Sequence, residues 1–388
     1  MSCCDLKMES KILFSPKKIG SILIKNRIVR SATFMFMAEK YGYVGERLLK
    51  MYEELAKGGT GLIITGAVAM DPSAAGGPYQ VCLYDDSHMP GHKKLVKLIH
   101  EYDDAKIGIQ INHLGRLGYH PKYPNFAPSP IPYKGTGITP HELTTEEVKE
   151  FVKKFINAGL RAYECGYDIV QLHAAHGYFL TNFISPYTNI RSDEFGGSLK
   201  GRTKILVDIY NGIRDELGTQ FPIIIKLQSQ DFIPNGITEA EGIEIAKIIA
   251  DVGFDGIEPS GGGSESIEFT KNALPSKFIK KPEEENYYLP FARKLKPYMK
   301  NGALILVGGI RNPFSAENII KEGIADFISM CRPLIYEPDL PSRWESGDLS
   351  PAKCISCNSC HVVMQKGPVY CVTKKKREEK QKQETKNL

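Results

Sequence analysis

The sequence predicts an α/β fold, a single (β/α)8 TIM barrel. Eight short apolar segments alternate with amphipathic helical segments, as in a chain of β-then-α units. Segments such as LIITGAVA, IIIKL and LILVGG are hydrophobic on successive residues, as parallel strands buried on both faces require. The length of 388 residues suits one barrel with additions. Alternation alone leaves an open doubly wound sheet as the alternative, but eight units favour closure.

The eight predicted strands are residues 27–32, 61–69, 106–113, 167–174, 222–227, 256–260, 303–309 and 326–331. Helical spacing is clearest in residues 144–165, where apolar side chains recur every three to four positions. Thr144 with Glu147 reads as a capping box at the start of this helix, and Thr238 with Glu241 reads as another further on.

Two regions lie outside the eight units. Residues 11–26 (KILFSPKKIGSILIKN) predict a short β-hairpin that caps the bottom of the barrel. We assign residues 1–345 to the barrel, 346–372 to a cysteine-containing extension and 373–388 to a tail. The tail is highly charged and lacks apolar periodicity, so we expect it to be disordered.

The composition argues against several classes of protein. The net charge is +5, and much of the basic excess lies in the terminal run from Lys374 to Lys386, so no nucleic-acid partner is expected. No apolar stretch reaches the roughly 18 residues of a membrane span, and the start MSCCDLKMESK lacks the apolar core of a secretory signal. Nine cysteines, an odd number, suit a reducing compartment. We therefore expect a cytoplasmic protein.

The strongest chemical signal follows the fourth predicted strand. His173, His176 and Tyr178 fall within six residues at the end of that strand, where barrel loops direct side chains into the mouth. Two imidazoles and a phenol can donate hydrogen bonds to a substrate oxygen, and the phenol can also deliver a proton. An isolated histidine would more often be structural, but the clustering favours a catalytic group.

A second signal indicates a phosphate site. The seventh strand ends in Gly308 and Gly309, and the eighth leads into Cys331 and Arg332. The loops after these two strands are the usual phosphate site of a barrel, because glycines expose backbone N–H groups and arginine adds a bidentate charge. A phosphate-bearing cofactor or substrate is therefore expected.

Two polar residues interrupt apolar strands. Lys226 lies within the fifth strand, where a buried cation needs a partner, and Gln110 lies within the third. Lys226 could reach the barrel rim, or it could stabilise a negatively charged cofactor ring. Gln110 could present its amide to a heterocycle, or it could bond to neighbouring core groups.

At this point the sequence resembles the Old Yellow Enzyme family of FMN oxidoreductases over about residues 11–345. The motifs that carry the resemblance are NRIVRSAT (26–33), GIQINHLGR (108–116), HAAHGYFLTNFISP (173–186), IRSDEFGGS (190–198) and the VGGI and CRP pair. The HxxHGY…FxSP segment is highly specific. In place of the usual glycine before Arg332 stands Cys331, which still offers its backbone N–H.

The resemblance implies a role for each matching position. Ala32, Thr33 and Ala67 would line the flavin ring, Gln110 its pyrimidine edge and Lys226 its N1 and O2 atoms, whereas Gly308, Gly309, Cys331 and Arg332 would hold the FMN phosphate. His173 and His176 would bind the carbonyl oxygen of the substrate, and Tyr178 would donate a proton.

The resemblance also implies the reaction. NADH or NADPH would reduce the flavin, which would pass hydride to an electron-poor alkene, an α,β-unsaturated carbonyl compound. Such an ene-reductase would act on a small molecule. The sequence does not reveal the physiological substrate or the choice between NADH and NADPH. The oligomeric state is also open, although many relatives form homo-oligomers.

Four cysteines cluster near the end of the chain. Cys354, Cys357, Cys360 and Cys371 have the spacing C-x2-C-x2-C-x10-C. Four thiolates at such spacing can hold an iron–sulfur cluster or zinc, and free thiols are the third alternative. The branch of the family that resembles 2,4-dienoyl-CoA reductase carries a [4Fe-4S] cluster here, with one more residue between its second and third cysteines.

Two other functions remain as alternatives from the sequence. A phosphate-binding aldolase-type barrel would need a Schiff-base lysine in an apolar pocket, and Lys226 is the candidate. The other alternative is a non-catalytic binding barrel. The presence of His173, His176 and Tyr178 together argues against it.

Overall fold

Eight parallel strands form the centre of the structure, a computed structural model that describes residues 12–77, 79–118, 120–364 and 367–386. We number the barrel strands β1 (Ile28–Arg30), β2 (Leu62–Ile64), β3 (Lys106–Asn112), β4 (Ile169–Ala174), β5 (Ile223–Gln228), β6 (Gly256–Ser260), β7 (Ala303–Val307) and β8 (Phe327–Met330). Each lies inside, or within one residue of, a segment that the sequence predicts.

The sheet closes on itself. Each strand pairs in parallel with the next along the chain, and β8 returns to pair with β1 through Ile328 and Ile28. Closure excludes the open doubly wound alternative. It also brings the carboxyl ends of all eight strands to one rim, so that residues far apart in sequence meet there.

Helices surround the barrel and complete the α/β units. They are α1 (Glu46–Lys57), α2 (Met89–His100), α3 (Thr145–Glu164), α4 (Phe179–Ile184), α5 (Leu199–Leu217), α6 (Glu239–Val252), α7 (Leu289–Leu295), α8 (Pro313–Lys321), α9 (Arg332–Tyr336), α10 (Leu340–Glu345), α11 (Ser359–Met364) and α12 (Val372–Lys386). Within the described ranges, none of these helices has the length and apolar character needed to cross a membrane.

The predicted helix caps are present, one fully and one in part. Thr144 and Glu147 form the reciprocal capping box at the start of α3. At α6 the Thr238 hydroxyl accepts from the Glu241 backbone N–H, but the return bond is missing. The Glu241 carboxylate pairs instead with Arg202 on α5.

The predicted N-terminal hairpin plugs the bottom of the barrel. Strands Lys17–Ile19 and Ile22–Ile24 pair antiparallel, and Ile19 and Ile24 are fully buried. They join an interior cluster of barrel side chains that includes Phe327 of β8 and Ile224 of β5. Burial of each such side chain contributes roughly 1.5–3 kcal/mol. The bottom of the barrel is thus packed with apolar groups, which leaves the polar interior residues at the other end.

The tail differs from the expected disorder, because residues 372–386 form the helix α12. Its lysine, arginine, glutamate and glutamine residues all favour helix, and Lys380 pairs with Glu384 one turn later at 3.7 Å. Arg377 also donates to the Tyr336 hydroxyl of α9 at 3.0 Å. Helix propensity and this contact therefore order a segment that has no apolar periodicity. Residues 387–388 lie outside the described residues.

Candidate active site

A cavity of about 620 Å³ opens at the carboxyl ends of the strands. Its lining includes six of the residues that the sequence predicts for a cofactor site, namely Ala32, Lys226, Gly308, Gly309, Cys331 and Arg332, together with His176 from the predicted catalytic set. These residues lie in or just after five of the strands and are up to about 300 positions apart in sequence. The structure therefore brings most of the predicted cofactor residues to one place.

A buried ion pair forms the floor of this cavity. Lys226 Nζ lies 2.7 Å from Glu258 Oε2, and the two side chains are 4% and 1% exposed. In the β5–β6 register Lys226 stands directly beside Glu258. Lys226 Nζ also donates to Ser31 Oγ at 3.1 Å. Lys226 therefore has a partner inside the barrel and does not reach for the rim.

The Glu258 carboxylate accepts hydrogen bonds from four donor groups. Oε1 accepts from Ser31 Oγ at 2.8 Å and from Ser329 Oγ at 2.9 Å, and Oε2 accepts from Gln171 Nε2 at 2.9 Å as well as from Lys226. A buried carboxylate with such a complete set of donors is strongly held in place. The network thus fixes the position of the Lys226 ammonium from several strands at once.

Burial alone would raise the pKa of Glu258, but the Lys226 charge and the hydrogen bonds from Lys226, Ser31 and Gln171 outweigh it and hold this pKa below its ordinary value. The carboxylate is therefore ionised at neutral pH. As a result, the negative charge of Glu258 partly offsets the positive charge that Lys226 presents to the cavity.

Gln110 belongs to the same network. Its Nε2 donates to Gln171 Oε1 at 2.7 Å, and its side chain is 2% exposed. Of the two alternatives drawn from the sequence, bonding to neighbouring core groups is the one seen here. The chain Gln110–Gln171–Glu258–Lys226 crosses the barrel from β3 to β6.

His173, His176 and Tyr178 form a compact group beside the cavity. The ring centroids of His173 and His176 are 4.9 Å apart, those of His173 and Tyr178 are 4.9 Å apart, and those of His176 and Tyr178 are 6.3 Å apart. His176 Nε2 lies 2.7 Å from Ser260 Oγ. His173 Nδ1 accepts from the Ala175 backbone N–H at 3.3 Å, which leaves the proton of the neutral ring on Nε2.

The backbone at His176 adopts a conformation that L-residues rarely take. Its φ is +68°, in the left-handed region, and its backbone N–H donates to Gln228 Oε1 at 2.8 Å. Gly263 packs so closely that an added Cβ would lie 2.7 Å from the His176 carbonyl oxygen. Such strained positions persist where surrounding structure holds them, and they concentrate at functional sites.

Burial sets the protonation states of this group. Burial, the neighbouring His176 imidazole and the Lys226 charge hold the pKa of His173 well below its ordinary value. Burial and Lys226 lower the pKa of His176 to about 3. Burial, with a smaller effect from Tyr133, raises the pKa of Tyr178. At neutral pH the site thus contains two neutral imidazoles and a protonated phenol.

The glycines after β7 adopt conformations that suit a close backbone approach. Gly308 has a φ of +119° and Gly309 a φ of +81°. A Cβ at Gly308 would lie 2.8 Å from the Tyr288 ring, and one at Gly309 would lie 2.5 Å from Ile279. Only glycine fits these positions without movement of the neighbours.

Three of the predicted cofactor residues are hydrogen-bonded to other groups of the protein. Thr33 Oγ1 donates to Cys331 Sγ at 3.0 Å, and Ala67 offers its carbonyl to Gln80 Nε2 at 3.0 Å. Arg332 lines the cavity, but its guanidinium donates to the Lys277 carbonyl at 2.8 Å and to Asn358 Oδ1 at 2.5 Å. Arg332 thus ties the cavity to the cysteine-containing extension and is not aimed solely at a phosphate position.

None of the four cysteines of the extension forms a disulfide bond within the described part of the chain. Cys354 is buried, and the Sγ atom of Cys357 contacts Ser359 at 3.4 Å and Thr373 at 3.6 Å. Burial and the neighbouring Cys331 and Cys354 charges raise the pKa of Cys360 to about 12. In the ranges that the structure describes, no three His, Cys, Asp or Glu side chains are grouped so as to ligate one metal ion.

Sequence reasoning missed three polar residues of the site: Glu258, Gln171 and Ser260. The sequence does indicate a role for Glu258. It is a carboxylate in the middle of a buried strand, and the preceding strand contains Lys226, so an ion pair between the two could have been expected. No such indication exists for Ser260 and Gln171, because each is an ordinary polar residue whose role depends on the register and closure of the barrel.

The comparisons with known proteins agree with this geometry. The model of the NADH:flavin oxidoreductase / NADH oxidase family matches residues 12–349. An NADH oxidase from Thermoanaerobacter brockii is 37% identical over 351 residues, which are 89% of this chain and 52% of the relative. An NADPH dehydrogenase from Geobacillus sp. (strain WCH70) is 33% identical over 85% of this chain and 92% of its own length.

Among solved structures, 2-naphthoyl-CoA reductase in complex with 2-naphthoyl-CoA superposes with a TM-score of 0.85 at 30% identity, covering 93% of this chain and 56% of the relative. The chain spans about half the length of the first curated relatives that it matches. The family model nevertheless covers the whole barrel, from the hairpin through α10. The chain therefore belongs to the NADH:flavin oxidoreductase / NADH oxidase family, the FMN-dependent family that includes the Old Yellow Enzymes.

Proposed function

We propose that this protein uses NADH or NADPH to reduce an alkene conjugated to a carbonyl group, with FMN bound at the mouth of the barrel. The observation that carries the proposal is the neutral His173–His176 pair with the Tyr178 phenol, placed beside a cavity whose floor holds the Lys226 cation. Hydrogen-bond donors, a proton donor and a cation are the three protein groups that such a reduction requires.

The residues of the cavity fit FMN. The Lys226 ammonium has three N–H donors, and the described residues accept from it at Glu258 and Ser31, so one donor is available to a ligand. At the other end, Gly308 and Gly309 line the cavity without side chains, so their backbone is accessible to a phosphate. Lys226 would thus meet the N1 and O2 edge of the ring, and the glycines and Cys331 would hold the phosphate.

When bound, FMN supplies the transfer of hydride from NADH or NADPH to the β carbon of the alkene. His173 and His176 donate hydrogen bonds to the carbonyl oxygen, on which negative charge develops. Each such bond contributes roughly 3 kcal/mol to stabilising the transition state. Tyr178 donates its proton to the α carbon, and its raised pKa keeps that proton in place until the carbon becomes basic.

The aldolase-type alternative has little support at Lys226. A Schiff-base lysine must present a free amine to a carbonyl carbon. Here Nζ is bound to Glu258 at 2.7 Å and to Ser31 at 3.1 Å. The same geometry suits a fixed cation.

The test is Tyr178→Phe, assayed in the two half-reactions separately by anaerobic stopped flow. Reduction of the bound flavin by NADPH or NADH should change by less than about threefold. Reoxidation by 2-cyclohexenone should slow by about 10²-fold or more, because the proton donor is lost. The substrate panel should also include a conjugated acyl thioester, since one structural relative was solved with 2-naphthoyl-CoA.

Tyr187→Phe is the matched control. Tyr187 lines the neighbouring pocket that His176 also lines, and its hydroxyl donates to Glu265 at 3.2 Å. Its loss should leave both half-reactions near wild type. Equal reoxidation rates in wild type and Tyr178→Phe would refute the proton-donor role.

The iron–sulfur cluster stays a prediction. The described thiols are not grouped as metal ligands, so no step of the proposed reaction passes through them. Analysis of anaerobically purified protein for iron and acid-labile sulfide decides it. About four of each per chain would support a [4Fe-4S] cluster at Cys354, Cys357, Cys360 and Cys371, and the absence of both would exclude it.

A further inference from the structure

A second cleft, separate from the mouth of the barrel, lies on the outer side of β1. It has a volume of about 1050 Å³ and is bounded by α1, by the end of α9 and by the first turns of α12. None of its lining residues lines the mouth cavity. Cys371, one of the four cysteines predicted to hold a cluster, lines it, but the alkene reduction proposed above does not use it.

Arg30 forms the floor of this cleft. Side chains alternate along a strand, and Ser31 points into the barrel towards Glu258, so Arg30 points outwards. Arg30 is only 2% exposed, yet it lines the cleft.

The contacts of the Arg30 guanidinium are all with neutral groups. It donates to the Ser31 carbonyl at 3.0 Å, to Thr33 Oγ1 at 2.6 Å and to Met35 Sδ at 3.6 Å. Its Nε has no hydrogen-bond partner, and no carboxylate lies within ion-pair distance in the described part of the chain. Arginine does not lose its charge in proteins, and a buried charge without a counter-ion is costly. A bound anion would supply the counter-ion that the Arg30 guanidinium lacks.

The rim of the cleft is also basic. Arg47, Lys50, Lys374 and Lys375 line it, against the acidic Glu54 and Glu378. Of the four basic side chains, the described residues provide an ion pair only for Lys375, with Glu379 at 4.0 Å. Several uncompensated cations around a concavity create a field that concentrates anions.

The remaining lining is apolar and adaptable. Met35, Met37 and Met51 contribute thioether side chains, and Tyr370 contributes a ring that is 42% exposed. Methionine side chains pack readily against flat groups of varied shape. The cleft therefore combines a cationic floor and rim with a surface on which a planar or apolar group can pack.

We propose that this cleft binds a phosphorylated small molecule of the nucleotide type. Its phosphates would be bound by Arg30, Arg47 and Lys50, and its base would pack on the methionines and Tyr370. Arg30 can bind phosphate with two parallel hydrogen bonds, and the lysine adds a point charge.

The experiment is calorimetric titration of ADP and of inorganic pyrophosphate into protein that is kept saturated with FMN, so that the phosphate site at the mouth of the barrel is already occupied. The test variant is Arg47→Ala/Lys50→Ala, whose two side chains are exposed on α1 and whose loss should not affect folding. The control is Lys18→Ala/Lys321→Ala, which removes the same charge from exposed positions elsewhere.

We expect ADP to bind wild type and the control equally, and the test variant about tenfold more weakly or worse, because charge-assisted contacts to phosphate are lost. ADP should also raise the melting temperature of wild type more than that of the test variant. ADP binding that exceeds pyrophosphate binding supports the contribution of the base. No binding of either probe at millimolar concentration, or equal binding by the test variant, overturns the proposal.

Discussion

The buried Lys226–Glu258 pair makes a quantitative prediction about the bound flavin, namely that Glu258→Gln raises its reduction potential. Reduction adds negative charge near N1 of the ring, which the proposed site places against Lys226. The Glu258 carboxylate lies 2.7 Å beyond that ammonium and opposes the added charge. Removing the carboxylate charge should therefore favour the reduced form.

The size of the effect follows from distance. With Lys226 about 3 Å from the ring, the carboxylate is about 6 Å from it, and a unit charge at that distance contributes about 3 kcal/mol at an effective dielectric constant of about 20. For a two-electron couple this equals about 60 mV, so the potential of Glu258→Gln should lie about 60 mV above that of wild type.

The double variant Lys226→Met/Glu258→Gln should shift the potential in the opposite direction. It removes the nearer positive charge as well as the farther negative one, so its potential should fall about 60 mV below that of wild type. It also removes the unpaired buried cation that the single variant leaves, which guards against loss of folding as the cause of any shift.

The assay is anaerobic reduction of each protein against reference dyes of known potential, with melting temperatures measured in parallel. Ser329→Ala is the matched control, because it removes one hydrogen bond to the same carboxylate without changing charge. Its shift should be less than about 20 mV. A potential for Glu258→Gln equal to or below that of wild type would refute the reasoning.

Two further predictions concern cofactor binding and acid stability. Gly308→Ala should weaken FMN binding about tenfold or more, because its Cβ would lie 2.8 Å from Tyr288. Gly323→Ala, also at positive φ but with open space around it, should not; equal FMN dissociation constants for the two variants would contradict this. Burial holds the pKa of His92 at about 4 and those of His113 and His176 at about 3. All three lie below the unfolded value near 6.5, so the unfolded state binds more protons and stability falls as pH drops below about 6.5. At pH 5 each should cost about 2 kcal/mol, and a free energy of unfolding, from urea denaturation, that is unchanged between pH 7 and pH 5 would contradict this.

The barrel could be predicted because its signal is local. Each strand is an apolar run buried on both faces, and this pattern is visible whatever the strand pairs with. The signal of the hairpin plug is also local, since Ile19 and Ile24 are buried next to exposed Lys18 and Leu23. The grouping of His173, His176 and Tyr178 was predictable because the three residues are close in sequence.

The features that could not be predicted depend on contacts between distant segments. Lys226 and Glu258 are 32 positions apart and become neighbours only through the β5–β6 register. The contacts of Arg332 depend on where the extension folds back, which brings Asn358 to its guanidinium. The helical tail α12 is stabilised by Arg377 against Tyr336, a contact that no periodicity reveals.

The most direct test of the account is an anaerobic titration of the purified, FMN-supplemented protein, followed by its absorbance. The account predicts one flavin per chain, loss of the flavin absorbance on addition of NADH or NADPH, and its return when a conjugated enone is added. A protein that stays colourless with FMN, or a flavin that neither nicotinamide reduces, would contradict it.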